Sequence, residues 1–155
     1  MTDERIEVSR IIEAPPEAVF AVLRDPRGHV AIDSSGMLMS AEGEAVSAVG
    51  DTFVVHMDRE ALGDRPMGRY DVTVVITAYG PETEIAWTIQ GNLQPPVGHV
   101  YGYRLEPADD GATRVVSYCD WSGIHERYRG LGFPLVPEAS LKATLGILAR
   151  TVQRS

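Results

Sequence analysis

The stretch IIEAPPEAVFAVLRD, residues 11–25, joins two different hydrophobic periods and thereby decides the fold. Its first residues end an alternating run that starts at Ile6 and predicts a strand. Pro15-Pro16 suits the first turn of a helix, where a missing N–H costs nothing. The apolar residues that follow recur at helical spacing: Val19, Phe20 and Leu23. This pattern predicts a short amphipathic helix that ends at Asp25-Pro26, and residues 29–34 are expected to add a further helical turn.

After this region the hydrophobic period changes to two, which is typical of strands. Six alternating runs are predicted as strands: residues 37–44, 52–59, 69–79, 84–90, 99–107 and 112–121. The segments between them are rich in Gly, Pro and Asp, and they are too short for a parallel crossover, which needs about a dozen residues or more. The six runs therefore predict an antiparallel meander.

The end of the chain returns to helical spacing. Apolar residues fall at i, i+4, i+7 and i+11 after Pro137: Leu141, Leu145, Leu148 and Val152. The order of strand, two short helices, six strands and one long helix predicts an α+β fold, with a seven-stranded antiparallel sheet on the last helix. Residues 1–155 are predicted to form a single domain, which is long enough to bury a sizeable core.

One parity along the strands is strongly apolar and is expected to face the long helix. It includes tyrosine, tryptophan and serine side chains that need hydrogen-bond partners when buried, and methionines, which adapt to varied ligands. This composition favours a binding cavity, and an ordinary core with polar tips at its rim is the alternative. The candidate ligand-binding residues are Met37, Phe53, Val55, Met57, Met67, Tyr70, Val72, Trp87, Tyr101, Tyr103, Ser117, Cys119, Trp121, Phe133, Leu141 and Leu145.

The last strand offers two inward sets. Val115, Ser117, Cys119 and Trp121 compete with Val116, Tyr118 and Asp120, and the first set is predicted to face inward. The opposite parity of the other strands is expected to lie in water: Asp71, Thr73, Thr77, Glu84, Thr88, Arg104 and Glu106.

The net charge of −8 argues against nucleic acid and anionic membrane as partners. Phosphate binding needs clustered basic residues, whereas the 14 Lys and Arg residues are scattered among 22 acidic ones. Cys119 is the single cysteine, so an intramolecular disulfide is impossible. The first residues are acidic, and no apolar run approaches the roughly 18 residues of a membrane span. These features predict a cytoplasmic protein without membrane insertion.

The motifs of metal and cofactor sites are missing from the sequence. The sequence has four histidines that are far apart: His29, His56, His99 and His125. They show no metal-ligand spacing, and there is no second cysteine that could complete a metal site. There is no dinucleotide-binding, phosphate-loop or esterase motif. We therefore predict no metal and no cofactor.

His29 and Asp33 are the candidate catalytic residues, because they lie four apart and share a face if the intervening turn is helical. A histidine oriented by a carboxylate, opposite tyrosines that donate to a carbonyl, is the minimum for proton abstraction and aldol-type cyclisation. A helix-surface pair with no function is the alternative.

The residues quoted first, together with the segment from His29 to Met37, resemble the opening of the SRPBCC (START/birch-allergen-like) superfamily. Where many members carry a W-x-x-W type segment, this chain has His29 and Ile32. The chain is most similar to the polyketide cyclase/dehydrase-like members common in actinobacteria. The resemblance implies the helix-grip fold, in which a curved antiparallel sheet holds the last helix with a cavity between them. Members use that cavity as lipid carriers, hormone receptors, cyclases or oxygenase domains, so the fold alone leaves the function open.

Three functions follow as hypotheses. The first is binding of a small hydrophobic, polyketide-, aromatic- or lipid-like molecule in the cavity. The second is a cofactor-free polyketide cyclase or dehydratase that uses His29 and Asp33. The third is a protein-interaction or stress-response module with a filled core. The apolar segment from Tyr128 to Pro137, which contains Phe133, is expected to wall the entrance, to form a lid, or to support a homodimer.

Overall fold

A computed structural model describes residues 4–34, 38–58, 69–91, 97–131 and 138–153. Within these residues the chain forms seven strands and three α-helices. Their bounds are β1 (Arg5–Ile12), α1 (Pro16–Leu23), α2 (Pro26–Ile32), β2 (Leu38–Glu42), β3 (Thr52–Asp58), β4 (Arg69–Gly80), β5 (Glu84–Gln90), β6 (Val100–Pro107), β7 (Thr113–Asp120) and α3 (Glu138–Gln153). The predicted order of elements is confirmed, and the strand bounds differ from the predicted ones by at most two residues. The second helix was predicted over residues 29–34, whereas α2 begins three residues earlier, at Pro26.

The strands lie side by side in the order β1-β7-β6-β5-β4-β3-β2, and the pairings are antiparallel. Strands β2 to β7 form the predicted meander, and β1 pairs with β7 along its whole length. The helix α3 packs on β1 and β7 and also contacts α1 and α2. The predicted α+β helix-grip architecture, with a curved seven-stranded sheet around a long C-terminal helix, is confirmed.

The junction of α1 and α2 is unusually close. Asp25 caps α2 by accepting a hydrogen bond from the Arg27 N–H at 3.0 Å. A Cβ on Gly28 would overlap the Val22 carbonyl oxygen, so glycine is required where α2 crosses the end of α1. The crossing buries His29 against the last turn of α1.

The inward parity of the sheet forms the core together with α1 and α3, as predicted. In β7 the inward set is the predicted one: Val115, Cys119 and Trp121 belong to the core cluster, and Ser117 lines the cavity next to it, whereas Val116 and Tyr118 are buried outside that cluster. The stripe on α3 is also buried, through Leu141, Leu145, Leu148 and Val152. Burial of this apolar face is what holds the helix on the sheet.

The outer face of the sheet is drier than predicted. Tyr118 is only 5% exposed, and its ring crosses β6 above Gly102, where a Cβ would overlap it. Its hydroxyl donates to Glu84 on β5 at 2.8 Å, and the Arg5 guanidinium lies 4.2 Å from the ring centroid. Among the residues predicted to lie in water, four are half-buried: Thr73, Glu84, Thr88 and Arg104. Alternation fixes the direction of a side chain, but neighbouring side chains decide how much water reaches it.

In the described part of the chain, every helix is too short or too polar to span a bilayer.

Candidate functional site

A cavity of about 160 Å³ lies between the inner face of the sheet and the helices α2 and α3. Ten of the predicted site residues line it: His29, Asp33, Val55, Met57, Val72, Trp87, Tyr101, Tyr103, Ser117 and Leu141. Most of these come from β3 to β6, whereas α3 packs on β1 and β7. The wall is mainly apolar, and the hydroxyl groups in it come both from the helix side (Ser34 and Thr144) and from the sheet (Tyr101, Tyr103 and Ser117).

Five other predicted residues pack in the core instead and do not line the cavity: Phe53, Tyr70, Cys119, Trp121 and Leu145. Their inward parity is correct, but α3 lies directly on β1 and β7 and leaves no space at Cys119 or Leu145, which are 0% and 1% exposed. Burial also raises the pKa of the Cys119 thiol to about 12, which keeps it protonated and unreactive. Met37, Met67 and Phe133 lie outside the described residues.

Aromatic rings form one wall of the cavity. The Trp87 ring lies 4.7 Å from His29, 5.8 Å from Tyr103 and 6.2 Å from Tyr101, measured between ring centroids. The His29 ring also meets Phe53 edge-on at 5.1 Å, so its orientation is fixed from two sides. A wall of fixed rings offers flat, polarizable surface to an aromatic or hydrophobic ligand.

His29 is neutral in this position. Its Nε2 donates to the Leu23 carbonyl oxygen at 2.7 Å, because a carbonyl can only accept, and Nδ1 therefore holds the lone pair. Burial lowers the pKa of His29 to about 4, against the smaller opposing effects of the Leu23 bond and the Asp25 charge.

Asp33 is not the group that orients His29. It is the C-cap of α2, where the backbone turns extended at ψ 118°, so its side chain leaves the face that the helical spacing predicted. Its carboxylate accepts a hydrogen bond from the Leu38 N–H at 3.1 Å and faces the cavity from the start of β2. The expected His29–Asp33 arrangement is replaced by these two backbone hydrogen bonds.

A polar group of hydroxyls lines the same side of the cavity as Asp33. Thr144 on α3 donates to the Ser34 hydroxyl at 2.8 Å, and Ser34 donates to the Ser140 carbonyl at 2.8 Å. On the sheet side, burial raises the pKa of Tyr103, a hydrogen bond with Ser117 opposes this shift, and the charge of Asp33 adds to it. The cavity is therefore amphipathic: hydroxyl groups lie on its helix side and also on its sheet side, next to the aromatic rings.

Six residues whose side chains line the cavity were missed by sequence reasoning: Ile32, Ser34, Leu38, Val74, Ile89 and Thr144. Gly102 and Tyr118 also border it, although the Tyr118 ring lies over Gly102 on the outer face. Thr144 follows Leu141 by three positions on the same helix face, which is a signal that could have found it. Val74 and Ile89 were correctly predicted to face inward but were not selected as ligand contacts. Among the described residues, no group of three His, Cys, Asp or Glu side chains is placed to hold a metal ion.

Comparison with known sequences gives one family. The model described as "Polyketide cyclase / dehydrase and lipid transport" matches residues 3–153. Uncharacterized proteins from two strains of Mycobacterium tuberculosis are 29% and 28% identical over 151 residues, which cover 92% of this chain and 62% of each relative. The chain thus spans less than two thirds of the length of these curated relatives.

Comparison with solved structures gives the same architecture. Protein CV1439 from Chromobacterium violaceum is similar with a TM-score of 0.67 and 19% identity, over 97% of each chain. DynU16, from the dynemicin biosynthetic locus, is similar with a TM-score of 0.62 and 17% identity, over 98% of this chain and 48% of that one. At these identities the likeness shows the fold.

Proposed function

Because this chain belongs to the polyketide cyclase / dehydrase and lipid transport family, we propose that it binds a small hydrophobic molecule in the cavity between the sheet and α3. The family match confirms the resemblance to the SRPBCC superfamily and supports a ligand-binding or cyclase-like role. The observation that carries the proposal is a partly open cavity of about 160 Å³ with a mainly apolar lining. A concave, mainly apolar site with a few polar groups is the usual form of a small-molecule site.

The volume limits how much of a ligand the cavity can surround. An engineered apolar cavity of about 150 Å³ in another protein accepts benzene. A volume of about 160 Å³ is therefore matched by one aromatic ring with a small substituent. A larger polyketide- or lipid-like ligand would place one ring or chain end here and extend out of the cavity.

His29 supports a second candidate function, that of a cofactor-free cyclase or dehydratase. Its neutral imidazole lines the cavity with Tyr103, whose hydroxyl can donate to a substrate carbonyl. A pKa of about 4 makes this imidazole a weak base at neutral pH, which favours the binding role. For a cyclase, His29→Gln should lower turnover of a poly-β-carbonyl substrate roughly 10²–10⁴-fold. Unchanged turnover would exclude His29 as the base.

The third hypothesis, a protein-interaction module with a filled core, is less well supported. The core contains a cavity, and the large apolar side chains exposed on the described residues are Ile11, Met39 and Val49. Ile11 and Met39 lie on the two opposite edge strands of the sheet, so they cannot form one patch.

Calorimetric titration with benzyl alcohol tests the binding proposal. The wild-type protein should give a saturable one-site isotherm, and Leu141→Phe should abolish it by filling the cavity while leaving thermal stability unchanged or higher. Ala143→Phe is the matched control, because residue 143 is on the exposed side of α3 and the variant should bind like the wild type. Absent binding in the wild type, or unchanged binding by Leu141→Phe, would contradict the proposal.

A further inference from the structure

His29 carries an acceptor nitrogen that its own contacts leave unused. The residue is only 9% exposed, and its ring lines the cavity. Nε2 donates to the Leu23 carbonyl oxygen at 2.7 Å, so Nδ1 holds the lone pair. The ring also packs edge-on against Phe53 and Trp87, and these contacts provide no hydrogen bond. Within the described part of the chain, Nδ1 of His29 therefore has no hydrogen-bond donor.

This nitrogen borders the cavity and is not sealed in the core. Among the described side chains, Nδ1 of His29 is not one of the fully enclosed polar atoms that lack a hydrogen bond. Because it has no donor there and is not enclosed, it must border open space, and the open space that the ring lines is the cavity. Burial lowers the pKa of His29 to about 4, so Nδ1 stays unprotonated and able to accept at neutral pH.

Hydroxyl groups on both walls of the cavity already bond to one another or to the backbone. Thr144 donates to Ser34, and Ser34 donates to the Ser140 carbonyl oxygen, at 2.8 Å each. On the sheet side, Tyr103 and Ser117 share a hydrogen bond. The imidazole differs from these groups, because its acceptor is paired with none of the described side chains and is open to a bound molecule.

A buried acceptor of this kind discriminates between ligands by their donors. A ligand that carries an O–H or N–H group gains a hydrogen bond at Nδ1. A ligand without one encloses this nitrogen away from water and leaves it unpaired, which costs binding free energy. The His29 ring is packed against Phe53 and Trp87, and turning Nδ1 away from the ligand would break the bond to Leu23.

Resting on the proposed binding function, we propose that Nδ1 of His29 selects the ligand by accepting a hydrogen bond from it. The preferred ligand is a single-ring aromatic alcohol or phenol, whose ring lies on the apolar lining while its hydroxyl donates to this nitrogen. Aromatic ethers and hydrocarbons of the same size are disfavoured. His29 is then a specificity-determining residue of the binding site.

Three ligands of similar size test the proposal: benzyl alcohol, its isomer anisole, which cannot donate, and the hydrocarbon ethylbenzene. Each is titrated at pH 7 into wild-type protein whose histidines carry nitrogen-15, and calorimetry gives the affinities. In the benzyl alcohol complex, Nδ1 of His29 should resonate upfield of its position in the other two complexes, because accepting a hydrogen bond shifts an unprotonated imidazole nitrogen upfield. The exposed His125 is the control in the same spectra and should give the same signals in all three complexes.

His29→Phe removes the acceptor and keeps a ring next to Phe53 and Trp87. The affinity of this variant for benzyl alcohol relative to anisole should be about threefold to tenfold lower than that of the wild type, because one neutral hydrogen bond is lost. His125→Phe makes the same substitution at an exposed histidine outside the described cavity lining, and it should leave the relative affinity unchanged.

The outcomes separate the two claims. If none of the three ligands binds, the proposed binding function fails and this inference fails with it. If the ligands bind but Nδ1 of His29 resonates at the same position in all three complexes, binding stands and the hydrogen-bond selection is wrong. A His29→Phe variant that folds and keeps the wild-type relative affinity would overturn the selection as well. If that variant does not fold, the comparison of the three wild-type complexes alone decides.

Discussion

The inner and outer faces of the sheet carry the same kinds of side chain in opposite electrostatic settings. On the inner face His29 is neutral, with its pKa lowered to about 4 by burial. On the outer face His56 lies between Asp71 and Glu42, with 2.6 Å to each carboxylate, and these bonds raise its pKa. On the inner face, burial favours the uncharged form of His29. On the outer face, the neighbouring carboxylates favour the charged form of His56.

Tyrosine shows the same contrast. The hydroxyl of Tyr118 on the outer face donates a hydrogen bond to Glu84, within a network of arginines and glutamates. Tyr103 on the inner face borders the cavity with Ser117. Polar groups that pair with one another stabilise a fold, whereas polar groups around a space are available to a ligand. The difference assigns a structural role to the outer face and the binding role to the inner face.

The largest expected loss of stability comes from a substitution that displaces His29 from the inner face. Gly28→Ala would overlap the Val22 carbonyl oxygen and force α2, with His29, away from α1. Overpacking against backbone should cost about 3 kcal/mol or more in the free energy of unfolding. Gly123→Ala is the control, since its Cβ would meet nothing within 4 Å. Urea denaturation of both variants is the measurement, and equal stabilities would show that the crossing tolerates a methyl group.

Acidification should affect stability in opposite directions through the histidines of the two faces. Between pH 6.5 and pH 5 an unfolded histidine takes up a proton, but buried His29 and His99, both with a pKa of about 4, do not. Stability should therefore fall as the pH falls, by about 2 kcal/mol for His29 across this window. His56 contributes in the opposite direction, because its raised pKa gives stability that is present at low pH and lost as the pH rises through it.

Urea denaturation at both pH values checks these signs. His29→Gln can still donate to the Leu23 carbonyl, so the variant should keep this hydrogen bond. Its free energy of unfolding should decrease less on acidification, by the contribution of about one proton. His56→Gln should make the loss steeper. A His29→Gln variant with the wild-type pH dependence would mean that His29 has the same pKa in the folded protein as in the unfolded chain.

The sequence predicted the fold well because its signals are local. The proline pair at 15 and 16 starts α1, Asp25-Pro26 separates α1 from α2, and the period of two gives the strands and their inward faces. These signals act over a few residues, so the sequence displays them directly. The inward choice of Ser117 and Cys119 in β7 was also correct.

The site was predicted only in part because its geometry depends on contacts distant in sequence. Helical spacing paired His29 with Asp33, but α2 ends at Ile32, and the Leu38 N–H draws the carboxylate toward β2. The missing side chain of Gly102 is what admits the ring of Tyr118 from a neighbouring strand. Neither the hydrogen bond to Asp33 nor the position of the Tyr118 ring changes the hydrophobic periodicity, so the sequence pattern does not reveal them.

A smaller loss of stability is expected from removing the hydrogen bond between Tyr118 and Glu84 on the outer face. Tyr118→Phe removes the hydroxyl that donates to Glu84 and should lower the free energy of unfolding by about 1 to 2 kcal/mol. Combining it with Glu84→Gln in a double-mutant cycle should give a coupling of about 1 kcal/mol. Additive losses in urea denaturation would show that this bond contributes nothing to stability.

The central claim is that the inner cavity is where a ligand binds. Methyl-resolved NMR during titration with benzyl alcohol tests it most directly, because methyl groups report on both faces at once. The account predicts saturable shifts that share one dissociation constant at Met57, Val72 and Leu141, which line the cavity, and no shifts at the exposed Met39 and Ile11. Shifts confined to Met39 or Ile11, or no saturable shift at all, would contradict it.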